Sequence, residues 1–347
     1  MSSLDSLTEL LQESGVSFRI YDMGRQIKNI SPLDFLQIEK GLCIYPDPYL
    51  RQAWLALMIW NPKNSSQNVV WFLKFPLDEQ GYLVQSVRDD FINRLMLNIN
   101  QMLDSAELAN AEDALRDNPF SFTPDQEKMA AFHAITLKET TAEHSQYYPL
   151  CQAYFHGTRG WDNWQDLGIQ GIAEVAIYID SNQQQIIEHF AHFQSPPLIA
   201  LCHALENVVI SAALATKIAA KLQHSLGQQE VDIGLCCALL RAMHAAPNAE
   251  TQQWAIQQVL DSKVSNSAEL LSTIAIKLST QLSEQKTLAL FLEVLSGSEA
   301  GQHGFSKILA DLMFQENLRE SIFAAFRNPT RSNQLIVAIG QMFGGKF

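Results

Sequence analysis

The chain has 347 residues, enough for two domains or one long repeat array at about 150 residues per domain. Apolar residues make up 47% and charged residues 18%, which supplies a sizeable core and excludes global disorder. Lys plus Arg number 24 and Asp plus Glu 37, and the resulting net charge of −13 repels polyphosphate, so nucleic acid is not expected as a ligand. The longest apolar run, 53–60, is eight residues, far short of the roughly 18 that a bilayer requires, and no membrane span is expected.

The first eleven residues lack the basic and apolar regions of a secretory signal. They read as an amphipathic helix with Leu4, Leu7, Leu10 and Leu11 on one stripe. Five cysteines without close pairing make no disulfide framework, and Cys202, Cys236 and Cys237 sit within apolar helical patterns as buried thiols. A cytoplasmic location is the expectation.

Residues 17–22 alternate as a strand, turn through Asp22-Met23-Gly24-Arg25, and pair with a short segment at 26–30. Ser31 caps a helix with Pro32 at its first position, running to about Lys40 and stopped by Gly41. Two aromatic-rich strands follow at 53–60 and 69–75, separated by a polar loop over 61–68. A short strand at 82–85 precedes a helix capped by Ser86, with Phe91, Leu95, Ile99 and Met102 on one side. These elements predict a small α+β domain over 1–118, an antiparallel sheet layered with helices.

From 118 onward the period changes from near 2 to near 3.6. Thr123-Pro124-Asp125-Gln126 reads as a capping box with Pro at the first helical position. Helices then follow one another, broken at 194–197, 227–230, 247–248, 296–298, Gly304 and 328–329. Leu271, Ile274, Leu278 and Leu282 form a core-facing stripe. Apolar words beginning at Leu198, Ile233, Leu270 and Ile308 recur 35, 37 and 38 residues apart. Helix pairs of about 35–47 residues are the period of HEAT-like and armadillo-like solenoids, so 119–347 is expected to be an all-α helical-repeat array. A non-repeating helical domain is the plainer alternative.

Several words of the first third are shared with one family. Asp22-Met23-Gly24-Arg25, the Tyr45-Pro46-Asp47-Pro48 turn, 52–56 (QAWLA), 71–81 (WFLKFPLDEQG) and 118–124 (NPFSFTP) carry the likeness. The chain resembles a bacterial family of uncharacterised proteins, the domain of unknown function numbered 3549. The resemblance implies no reaction, substrate or catalytic residue.

Phosphate loops, dinucleotide fingerprints, nucleophile elbows and zinc-protease motifs are absent from the sequence. His189 and His192, with Cys202 and His203 further on, are the densest metal-like group, but they supply too few convergent ligands. No metal and no organic cofactor is expected. Trp54, Trp60, Trp71, Phe72 and Phe75 read as sheet core, since Lys63 and Lys74 are too few for a base-stacking platform. The turn at Asp22 and Arg25, with Gly24 at positive φ and Arg25 exposed at the tip, offers a guanidinium fork to an anion, with Arg51 or Arg88 assisting. A plain hairpin turn explains the same residues. In 156–165, Arg159, Trp161 and Trp164 have the composition of a binding hot spot, and equally that of a wedge between helices.

The function these observations favour is a non-enzymatic scaffold that binds a protein partner on its helical array. The alternative is a small-ligand sensor or enzyme, with a pocket between the N-terminal domain and the array near Arg25, Arg51 and Trp161.

Overall fold

The computed structural model describes residues 6–62, 64–104, 118–140 and 143–344, and gives the backbone alone for 64–67 and 95–104. Leu4, Lys63 and the side chains of Leu95, Ile99 and Met102 lie outside the described residues. Contacts divide the chain into two compact units, Met1–Pro124 and Asp125–Phe347.

In the first unit, strands β1 (Ser17–Asp22), β2 (Lys28–Ile30), β3 (Gln52–Asn61) and β4 (Asn64–Pro76) form an antiparallel sheet in the order β2-β1-β3-β4. The register pairs Tyr21 with Ala56 and Leu57 with Trp71. Because side chains alternate along a strand, the pairs Ala53–Phe75, Leu55–Leu73 and Leu57–Trp71 share one face, and all six are buried. Helix α3 (Gln85–Asp104) packs on β4, setting Phe91 edge-on to Phe75 at 5.3 Å. The opposite face carries Trp54, Phe72 and Trp60, which are half-buried rather than core. There Trp54 meets Phe122 edge-on at 4.8 Å and Arg19 lies over Trp60 at 5.8 Å.

Helix α1 (Leu7–Glu13) buries Leu7, Leu10 and Leu11, and α2 (Pro32–Glu39) starts where Ser31 Oγ accepts from the Asp34 amide at 3.1 Å. The two helices are tied by a carboxylate. Glu39, 1% exposed, accepts from the Leu7 amide at 2.8 Å, the Thr8 amide at 3.0 Å and the Thr8 hydroxyl at 2.5 Å. The free amides of the first turn of α1 thereby find an anionic partner.

Two expectations are corrected here. The turn between β3 and β4 is far shorter than 61–68, because Asn64 already pairs with Asn61 and, after a shift in register, Asn68 with Trp60, through backbone groups that any side chain permits. No strand forms at 82–85; a single bridge, Leu77 to Leu83, precedes α3 at Gln85, leaving no room for a ladder. The first unit extends through 120–122, which lies along β4: the Lys74 amide donates to Phe120 O at 2.7 Å and the Phe122 amide to Phe72 O at 3.1 Å.

The second unit contains no strand among its described residues. Its helices are α4 (Gln126–Thr140), α5 (Tyr148–Phe155), α6 (Ile169–Ile177), α7 (Ile179–His189), α8 (Ser195–Leu205), α9 (Ala212–Leu226), α10 (Ile233–Met243), α11 (Ala249–Leu260), α12 (Ala268–Lys277), α13 (Gln285–Ser296), α14 (Gly301–Phe314), α15 (Glu316–Phe326) and α16 (Asn333–Met342). Asp232, Ser267 and Ser332 cap α10, α12 and α16 through side chains that accept from the third amide onward. The helices alternate between two layers. Helices α4, α6, α8, α10, α12, α14 and α16 pack in succession, and α5, α7, α9, α11, α13 and α15 do the same beside them. Among the described residues, no helix is long and apolar enough to cross a membrane.

Asp125, not Thr123, caps α4: its Oδ1 accepts from the Lys128 amide at 2.7 Å, which places Pro124 outside the helix. Gly304 does not break a helix but lies inside α14, where a Cβ would stand 2.5 Å from that of Ala300. Leu271, Ile274, Leu278 and Leu282 are all buried, yet the helix ends at Lys277 and a 3-10 segment, Ser279–Ser283, carries Leu282.

Leu278→Ala is therefore expected to cost about 2–5 kcal/mol, since the Leu278 side chain is enclosed and the site cannot collapse freely. A urea melt reading less than about 1 kcal/mol would mean that this stripe contributes no core.

Candidate functional site

Asp22 closes β1 and is 2% exposed. Its Oδ1 accepts from the Gly24 amide at 2.7 Å and its Oδ2 accepts from the Tyr45 hydroxyl. Tyr45 is fully enclosed, and burial, followed by the Asp22 and Asp47 charges, pushes its phenol well above the ordinary value. Gly24 does not use positive φ, and Arg25 is not displayed at the turn. Gly24 is small for contact instead: a Cβ there would sit 3.2 Å from Asp22 Oδ1 and from Tyr49 Cβ. Arg25 folds inward, its Nε donating to Pro48 O at 3.0 Å and its guanidinium lying 5.8 Å from the Tyr49 ring centre. Burial of the charge with the turn residues outweighs its display.

Arg51 is exposed on a different turn. Leu50 and Arg51 take φ of 52° and 61°, and Tyr49 and Gln52 exchange both backbone hydrogen bonds at 3.1 Å. A two-residue turn with both central φ positive favours Asn and Gly, so Leu and Arg hold it under strain. The structure thus joins Asp22 and Arg25 through the 45–49 segment and sets Arg51 on the turn that follows. Arg88 serves α2, its Nη1 donating to Glu39 O, and also pairs with Asp89.

In the second unit, loop 156–168 packs against the end of α7. Arg159 pairs with Asp166 at 2.6 Å. Trp161 is stacked on His192 at 5.4 Å and 12°, with Tyr154 edge-on at 5.5 Å and Phe193 at 5.7 Å. Gly157, at φ 73°, lies so close to His189 that a Cβ would fall 2.8 Å from Nε2. His189 and His192 are therefore part of an aromatic wedge. Among the described residues, no group of three or more His, Cys, Asp or Glu is placed to hold a metal ion. Trp164 opens a 3-10 turn, Trp164–Asp166, and is half-buried. Cys151, Cys202 and Cys236 are buried, and burial pushes Cys151 and Cys236 up to about 12, so neither is a thiolate at neutral pH.

Two features were not singled out from the sequence. The first is a groove of about 390 Å³ between α9 and α11, lined by Thr216, Ala219, Ala220, Gln223, Glu250, Thr251 and Trp254. The available signal was Trp254 itself, a large aromatic outside the stripe of Ala255, Ile256, Val259 and Leu260 that α11 buries. A smaller groove of about 230 Å³ lies between α13 and α15, lined by Gln285, Ala289, Ala324, Ala325 and Arg327.

The second is an ionic seam. Glu206, just past α8, is 4% exposed and accepts from Lys277 Nζ at 2.8 Å and Arg241 Nη1 at 3.3 Å. Burial would raise the Glu206 carboxyl, but Lys277, Arg241 and Lys128 outweigh it and hold it below the usual value. Burial pushes Lys277 down to about 8, against the pull of Glu206. His244 Nδ1 bonds the Lys277 carbonyl at 2.6 Å, and burial, with Arg241, lowers His203 nearby. The three charges sit at the ends of α8, α10 and α12, spaced 35 and 36 residues apart. That recurrence was the legible signal.

Geometry and sequence together define a two-part protein, a small antiparallel sheet with helices followed by a mostly α-helical region. The chain belongs to the family described as Protein of unknown function (DUF3549), whose model matches residues 2–343. No curated protein and no solved structure matches it.

Lys277→Met is expected to cost about 3–5 kcal/mol, because Glu206 stays buried after losing its 2.8 Å partner and keeps Arg241 at 3.3 Å, and adding Glu206→Gln should recover much of the loss. Glu206 is held low in the folded state, so its contribution is present at neutral pH and is lost as pH falls through its folded pKa. Urea melts across acid pH should show a shallower decline for Glu206→Gln than for wild type; an unchanged profile would remove the seam from the stability argument.

Proposed function

We propose that this chain is a non-enzymatic protein-binding scaffold, in which the small α+β domain is followed by a HEAT- or armadillo-like array. The repeat reading is supported by the two alternating layers and by the 35- and 36-residue spacing of Glu206, Arg241 and Lys277. The observation that carries the binding reading is the groove between α9 and α11. It is open rather than enclosed, its lining includes the small residues Ala219 and Ala220, and Trp254 lines it with Glu250, the single charge among its lining residues. An aromatic face next to a carboxylate suits a lysine or arginine side chain, and the net charge of −13 assists encounter with a basic partner. Arg159 is paired with Asp166 and Trp161 is stacked on His192, so Trp254 is the better anchor.

The test is fluorescence anisotropy of the full chain with labelled Lys/Arg-rich peptides. Trp254→Ala should weaken binding at least tenfold, Trp161→Ala and Trp164→Ala should change it little, and affinity should fall as salt rises. Binding insensitive to Trp254→Ala would reject the groove. A metabolite that raises the melting temperature by several degrees, with no peptide bound, would replace the scaffold by the ligand-sensor or enzyme reading.

A further inference from the structure

A second recognition feature, independent of the groove, lies where the segment 143–147 leads into α5. His144 stands between two phenols. Its imidazole lies flat on Tyr148, with ring centres 3.7 Å apart and planes 4° from parallel, and is 4.3 Å from Tyr178 at 58°. The two tyrosine ring centres are 6.0 Å apart, with their planes tilted at 54°. Glu174, from α6, closes the floor with no exposed surface; its Oε2 lies 3.5 Å from His144 Nδ1 and accepts from the Ser145 amide at 3.0 Å, while Oε1 accepts from Gln170 Nε2 at 3.3 Å.

The walls are fixed before any ligand arrives. The Tyr148 hydroxyl accepts from Gln152 Nε2 at 2.9 Å and from Asn182 Nδ2 at 3.2 Å, and Asn182 is itself fully buried and bonded to the Val175 and Tyr178 carbonyls. The Tyr178 hydroxyl is buried with no hydrogen-bond partner among the described residues, which leaves both its donor and its acceptor capacity unmet. Lys138 Nζ, which donates to Ile177 O at 2.8 Å, lies 5.2 Å from the Tyr178 ring centre. Two π-faces converging on a desolvated carboxylate attract a cation, and stacking at 3.7 Å selects a flat one.

We propose that Tyr148, Tyr178 and Glu174 form a receptor for the guanidinium group of an arginine side chain, and that His144 is the occupant the chain supplies to its own site. His144 is part exposed and lies on a non-helical segment, so its side chain can leave while the Ser145 amide keeps its bond to Glu174. An arriving guanidinium takes its place on Tyr148, donating to Glu174 Oε2 and to the Tyr178 hydroxyl. The internal occupant lowers the apparent affinity by the fraction of molecules in which the site is free, so the site opens to an arginine only at high local concentration, as on a docked peptide.

The experiment uses the full chain and N-acetylargininamide, with N-acetylcitrullinamide as the neutral isostere. By calorimetry, His144→Ala should bind the arginine amide at least tenfold tighter than wild type, and neither protein should bind the citrulline amide. In wild type, the His144 imidazole proton resonances, shifted by the Tyr148 ring, should move toward free-imidazole positions as the ligand is added. Glu174→Gln in the His144→Ala background should lose at least tenfold; if circular dichroism shows that variant unfolded, Tyr178→Leu in the same background reads the missing wall instead. Binding of the arginine amide that is lost in Trp254→Ala but kept in the Glu174→Gln variant would place the ligand in the groove and overturn the proposal. Equal or weaker binding by His144→Ala, equal binding of the citrulline amide, or no binding to either protein would overturn the proposal.

Discussion

The second unit rests on one requirement: a helix with apolar residues on two sides must be covered by a neighbour on each. Helix α10 buries Leu235, Cys236, Ala238, Leu239, Leu240, Ala242 and Met243, which wrap most of its circumference. A hairpin partner covers only one side of such a helix, so α8 and α12 close on the others and the layer propagates. Glu206 falls within this seam. A carboxylate there stays ionised only if cations reach it; Arg241 of α10 and Lys277 of α12 bond it, and Lys128 of α4 adds its charge. The seam therefore penalises any register in which Arg241 and Lys277 miss Glu206, in addition to the loss of apolar cover.

The first unit solves a different problem. Its sheet is covered by helix α3 on the face of Leu57 and Phe75, and its other face carries half-buried aromatics with basic side chains laid over them. Turns with tightly placed polar groups close it. Asp22 is satisfied by the Gly24 amide and Tyr45, and Arg25 by the Pro48 carbonyl, so charge that looks displayed in the sequence is used to hold the 45–49 segment. The strain in Leu50 and Arg51 is maintained by that same packing.

Polar groups in the helical unit follow the same economy. Gln252, 9% exposed, donates to the carbonyls of Met243, His244 and Ala246 at the end of α10, and Gln281 donates in turn to its oxygen at 2.6 Å. In a chain with few charges, neutral amides end helices and join layers, where a lysine would need a counter-ion. Two of the carboxylates this unit buries, Glu206 and Glu174, are each bonded by several donors.

The sequence by itself determined the change from period 2 to period 3.6 near residue 118, the strands at 17–22 and 53–60, and the start of α2 at Ser31-Pro32, because alternation, caps and proline act over a few residues. It also held the recurrence of apolar words, since each helix must meet a similar neighbour. It misplaced the start of α4, since Thr123 and Asp125 are both good caps and only the chain path over β4 decides between them. Tertiary structure alone decided that Arg25 turns inward and that Trp161 stacks on His192, because a polar or aromatic side chain in a loop has no period to reveal its direction. It likewise decided that Trp254 lines a groove, that Glu206 gathers Lys277 from 71 residues away, and that His144 lies between two tyrosines over Glu174. Those assemblies depend on which helix ends meet, a matter of packing between distant segments rather than of local residue pattern.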